Sequence, residues 1–112
     1  MMEARDDEAL VILCTAPDAA VADTLAAGVV AARLAACVNI VPQIVSVYRW
    51  EGEVKRDAEV LLVIKSTRAR FEELAAFLRA QHPYDVPEII ALPIAAGDAA
   101  YLDWLRVSAA PE

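Results

Sequence analysis

The side chains in this sequence able to do more than pack are Cys14, Cys37, Tyr48, Trp50, Lys65, His82, Tyr84 and Glu88. Cys14 closes an apolar run. A thiol there is either a soft metal ligand or a small buried hydrophobe, and the strand context weighs toward packing. Cys37 opens the next apolar run, where packing is favoured further. His82 is the only imidazole, at the end of a helical segment. It reads equally as a helix stop that bonds carbonyls and as a functional group. Glu88, just after Pro87, is a ligand, an N–H acceptor or a solvated strand end. Thiolate, imidazole and carboxylate together make a mixed site suited to copper or zinc if their loops converge. Tyr48, Trp50 and Tyr84 join an apolar body to a polar tip, which suits a small-ligand cleft or a wet subunit interface. Subunit packing is their plainer role. Lys65 closes a strand, and its amine becomes a base only if partly buried.

Other chemistries lack their residues. Gly28, Gly52 and Gly97 are isolated, so there is no phosphate-cradling loop. A single histidine excludes a multi-histidine centre within one protomer. Ser46, Ser66 and Ser108 stand in strand, strand-end and tail contexts without a nucleophile elbow. The expectation is a protein that is not an enzyme. Cys14 and Cys37 have neither CxxC nor zinc-ligand spacing and are expected as free thiols in a reducing compartment.

Charge narrows the partners. Ten Lys and Arg against seventeen Asp and Glu leave a net charge of −7. That balance argues against binding nucleic-acid phosphates and against a polybasic lipid anchor. The chain is 59% hydrophobic, which excludes disorder. The longest stretch without charge, Leu34 to Tyr48, is too short and too interrupted to span a membrane. The charged N-terminus is unlike a signal peptide. A domain of 112 residues has too much surface for its volume to hide this apolar material alone. The expectation is a cytoplasmic obligate homo-oligomer with no membrane or nucleic-acid partner.

The elements that must position these groups are legible. Ala9 to Cys14 reads as a buried strand. Thr15 caps, and Pro17 and Asp18 open, a helix carrying Val21, Leu25, Val29 and Ala32, with Arg33 in its last turn. Cys37 to Trp50 is a long strand with a bulge or edge at Pro42. Glu51-Gly52-Glu53 turns it into a partner strand ending in Val60 to Ile64. This long hairpin is read as an arm that pairs with a neighbouring subunit. Arg68 to Gln81 is a second helix with Phe71, Leu74, Phe77 and Leu78 inward, stopped by His82-Pro83. Glu88 to Ile94 is the last strand. Gly97-Asp98 leads into a short helix with Tyr101, Leu102, Trp104 and Leu105. The order β-α-β-β-α-β plus a helix predicts an α+β, ferredoxin-like sandwich. Two helices cover one sheet face, and another copy of the sheet is the natural cover for the other. One domain is read over residues 9–107, with a variable segment at 1–8 and a tail at 108–112.

Several segments together resemble the CutA divalent-cation-tolerance family. They are Leu13 to Asp18, Leu34 to Ile40, Tyr48 to Gly52, Ile64 to Ser66, His82 to Glu88, Leu92 to Ile94, and Gly97 to Leu105. The resemblance implies a ferredoxin-like protomer in a homotrimer similar to PII signalling proteins, which hold small ligands between subunits. It implies tolerance of divalent metals, copper above all, with Cys14, His82 and Glu88 as the copper ligands. Some members carry a second histidine just before the HPY segment, where this chain has Gln81. The alternative is a PII-like sensor holding a small anionic or polar ligand near Tyr48, Trp50, Lys65 and Tyr84.

Overall fold

A computed structural model describes residues 6–112. The elements run β1 (Ala9–Ala16), α1 (Ala19–Ala31), β2 (Cys37–Trp50), β3 (Glu53–Thr67), α2 (Arg68–Gln81), β4 (Ile90–Pro93) and α3 (Ala99–Ser108). The strands form one sheet in the order β2-β3-β1-β4, and every neighbouring pair is antiparallel. This is the ferredoxin-like arrangement expected from the element order.

Two faces follow from strand alternation. Leu10, Ile12, Cys14 and Ala16 of β1 and Val60, Leu62 and Ile64 of β3 point to one side. There they pack against Ala22, Leu25 and Val29 of α1 and Leu74 and Leu78 of α2. Helix α1 is capped three residues later than the sequence suggests. Asp18 is its N-cap and accepts from the Val21 amide at 2.9 Å, while Thr15 stays in the strand. An aspartate at this position also meets the positive helix end. Arg33 lies past the helix in the left-handed region, at φ 59°. From there its guanidinium holds the carbonyls of Ala110 and Val107 at 2.9 and 3.1 Å, tying α3 to the end of α1.

Helices α1 and α2 meet closely at Gly28. A methyl group there would stand 2.7 Å from the tip of the Phe77 ring. Gly28→Ala is therefore expected to destabilise the fold by about 1–3 kcal/mol through overpacking. Chemical denaturation measures this, and Phe77→Leu in the same chain should recover part of the loss.

The hairpin turn has two consecutive positive φ values, 50° at Glu51 and 79° at Gly52, as a two-residue primed turn requires. Lower in the arm, pairing passes from Val41↔Leu61 to Ile44↔Glu59. Pro42 and Gln43 thus stand opposite Val60 alone, with Gln43 at φ 61°. This is the bulge expected at Pro42, and it reverses the facing of β2 above it. Ser46 and Tyr48 pair with Asp57 and Lys55 and so join the face that carries Glu59, Leu61 and Val63.

The last strand is shorter than the expected span from Glu88 to Ile94. Its pairing with β1 begins at Ile90↔Leu13. The next carbonyl along that edge, Thr15 C=O, is taken by the His82 side chain at 2.8 Å, so Glu88 stays in the loop. The sheet face away from α1 and α2 keeps Ile90 and Leu92 about half exposed. Helix α3 contacts β1 and β3 and brings the Tyr101 hydroxyl beside Cys37. Residues flanking the sheet are tied in as well: Arg68 bonds Glu8 at 2.5 Å, and Ala109 is fully buried.

Candidate functional site

A cleft of about 630 Å³ opens beside the upper hairpin. Its walls are Thr15 at the end of β1, Ser46, Tyr48 and Trp50 of β2, Asp57 and Glu59 of β3, and Tyr84, Asp85 and Glu88 of the loop after α2. The bulge at Pro42 is what brings the β2 residues to the same side as the β3 carboxylates. Four carboxylates face the cleft, and among the described residues no Lys, Arg or His lines it.

Three of the residues singled out for a ligand cleft, Tyr48, Trp50 and Tyr84, do line this one. Lys65 does not. It sits lower on the sheet, opposite Cys37 and Val11, and its amine is bonded to the Asn39 side chain. Asp57, Glu59 and Asp85 were not singled out from the sequence. The signal for the first two is their i, i+2 spacing, which puts them on one face of β3.

The loop after α2 is held by a chain of hydrogen bonds. The His82 Nε2–H donates to Thr15 O at 2.8 Å. The Tyr84 amide donates to His82 Nδ1 at 3.1 Å, which sets the neutral Nε2–H tautomer. The two rings lie 4.7 Å apart. The Tyr84 hydroxyl donates to Glu59 at 2.8 Å, and the Tyr48 hydroxyl donates to Asp57. Burial first, then the bond to Glu59, pushes the Tyr84 hydroxyl up. The bond to Asp57 does the same for Tyr48. Both phenols therefore stay protonated donors.

Cys14, His82 and Glu88 share a neighbourhood. Glu88 is close enough for its charge to be felt at Cys14, and His82 bonds the carbonyl of the next residue, Thr15. Cys14 itself is 0% exposed, and both ring nitrogens of His82 are engaged. Among the described residues, no three His, Cys, Asp or Glu side chains converge as metal ligands. Gln81 points elsewhere, into a small cavity with Ala20, Val21, Thr24 and Leu25.

Burial, then the charges of Glu88 and Glu59, push the Cys14 thiol from its ordinary 9.0 to about 12. The unfolded chain ionises this thiol near 9, the fold only near 12. Its contribution to stability is therefore complete below pH 9 and is lost as pH rises toward 12, by about 1.4 kcal/mol per pH unit. Denaturation midpoints of wild type and Cys14→Ala across pH 8–11 check this. The variant should lose stability less steeply, and parallel curves would contradict it.

The family model described as CutA1 divalent ion tolerance protein matches residues 10–108. The chain belongs to the CutA1 divalent ion tolerance family. A Thermus thermophilus relative named divalent-cation tolerance protein CutA is 56% identical over 96 residues, covering 86% of this chain and 93% of that protein. The crystal structure of CutA1 from Oryza sativa superposes with a TM-score of 0.88 at 48% identity, over 90% of this chain and 93% of that one. A third structure, described as the periplasmic divalent cation tolerance protein CutA from Archaeoglobus fulgidus, has a TM-score of 0.88 at 34% identity, covering 91% and 99% of the two chains. The CutA1 fold thus agrees with the resemblance drawn from the sequence, and the family carries a role in tolerance of divalent cations. Among the described residues, no helix is long and apolar enough to cross a membrane.

Proposed function

We propose that this CutA1-family chain acts without catalysis, as a cytoplasmic homotrimer in divalent-cation tolerance, and that the carboxylate-lined cleft is the surface that meets the cation. One observation carries this reading: Asp57, Glu59, Asp85 and Glu88 face the cleft, with no cationic side chain beside them among the described residues. Carboxylates suit hard cations, and a field of one sign in a cleft concentrates the opposite ion. The carboxylates are spread rather than gathered, which fits a cation that keeps part of its water shell. The half-exposed apolar sheet face supports assembly, and two free thiols support a reducing compartment.

The second reading places copper on Cys14, His82 and Glu88. The nearness of Glu88 to Cys14 favours it. Its cost is a thiol that must lose its proton against burial and an imidazole that must give up a hydrogen bond. The PII-like alternative keeps the aromatic walls of the cleft, but the local charge turns away an anionic ligand.

Calorimetric titration of manganese and copper into metal-free protein separates these readings. On the cleft reading, Asp57→Asn with Glu59→Gln weakens binding about tenfold or more, while Cys14→Ser leaves it unchanged. Loss of binding in Cys14→Ser with retention in the carboxamide variant would transfer the site to the thiolate set.

A further inference from the structure

We infer that the cleft takes an organic ammonium cation, of the polyamine or quaternary ammonium kind. This rests on the reading that the cleft faces cations, and it names the cation's class from the walls. Three observations carry it. The first is size: about 630 Å³ is the volume of a small organic molecule and leaves room beyond a single hydrated ion. The second is the absence of convergence, since no three ligating side chains among the described residues meet at one point. The negative charge is instead distributed along the walls, an arrangement that serves a cation with separated or diffuse charge as well as a hydrated ion.

The third observation is the aromatic lining. Tyr48, Trp50 and Tyr84 share the cleft with Asp57 and Glu59. Aromatic faces attract ammonium groups through their quadrupole, and several rings around one cation form the cage that recognises alkylated ammonium. Two of these rings are positioned in advance. Tyr84 is held at its amide by His82 Nδ1, at its ring by the imidazole, and at its hydroxyl by Glu59. Tyr48 is held by Asp57. A phenol that donates to a carboxylate gains electron density in its ring, which strengthens its pull on a cation. A strongly hydrated inorganic ion makes little use of such walls, whereas an ammonium carrying methyl or methylene groups buries them against the rings.

The test uses the assembled full chain and two probes, tetramethylammonium and spermidine, followed by calorimetry and by Trp50 fluorescence in a Trp104→Phe background. Sodium acetate serves as the anionic control. Both ammonium probes are expected to bind in the millimolar range or tighter, and acetate not at all. Trp50→Leu should weaken tetramethylammonium about fivefold to tenfold. Asp57→Asn should weaken spermidine more than tetramethylammonium, because spermidine presents localised charges to the carboxylates. Tyr84→Phe keeps the ring and guards against misreading a folding defect, so it should retain most of the tetramethylammonium affinity. If manganese binds and responds to Asp57→Asn while neither ammonium probe binds, the cation cleft stands and this inference falls. Ammonium binding that ignores both Trp50→Leu and Asp57→Asn also overturns it. Binding of acetate in place of either kind of cation overturns both readings together.

Discussion

Ile90→Asp will break the assembly while leaving the protomer folded. In one protomer Ile90 is 50% exposed, on a strand whose four residues are all exposed. A surface substitution at such a place changes stability by no more than about 0.5 kcal/mol. In the proposed trimer the same side chain belongs to an apolar face that must be covered. Burying an isoleucine contributes about 1.5–3 kcal/mol, and forcing an unpaired carboxylate into its place costs several more. The loss recurs in every copy, so the expected outcome is a fall from three times the 12.1 kDa chain mass to a single chain or a mixture. Light scattering at micromolar protein checks this. The melting temperature should drop by about 10 °C or more and become concentration-dependent. Thr24→Glu, on the exposed side of α1, is the control and should do neither. An unchanged particle mass for Ile90→Asp would mean that the apolar face beside β4 is not where copies meet.

The sequence revealed the frame better than the site. Apolar alternation and the Pro42 signal were enough to place β2 from Cys37 to Trp50, because both are local. Arg68 to Gln81 was readable for the same reason: its inward residues recur at helical spacing, and His82-Pro83 stops it. The start of α1 was harder, since Thr15 and Asp18 are both competent caps. The choice depends on β1 continuing to Ala16 against Val60 of β3, a contact 44 residues away in sequence. The site was partly legible. Tyr48, Trp50 and Tyr84 were recognisable as amphipathic aromatics, and the structure gathers them. Asp57 and Glu59 looked like an ordinary charged patch. Their place in the cleft depends on the register change at Pro42 and Gln43, which decides what β2 presents beside them. Lys65 lies outside the cleft of one protomer, and its strand-end position says nothing about Asn39, its partner across the sheet.

His82→Ala is the variant that separates a strut from a ligand. The imidazole satisfies Thr15 C=O and the Tyr84 amide at once, and it is only 8% exposed. Alanine leaves both backbone groups without their partner. The Thr15 carbonyl is buried, and orphaning it costs about 1–3 kcal/mol; the part-buried Tyr84 amide adds less, and the ring contact with Tyr84 is lost as well. We expect about 2–4 kcal/mol of destabilisation in metal-free protein, measured by denaturant titration. The damage should not stay at residue 82. Tyr84 is the link from this histidine to Glu59, so freeing its amide slackens the cleft wall from 83 to 88. Hydrogen exchange at the Tyr84 amide should accelerate before that of the core strands. A copper ligand gives a different pattern: metal-free His82→Ala would match wild type, and the difference would emerge only when copper is added. The geometry favours the first pattern, because both ring nitrogens already have protein partners and the Nε2 proton has to leave before a metal can take its place.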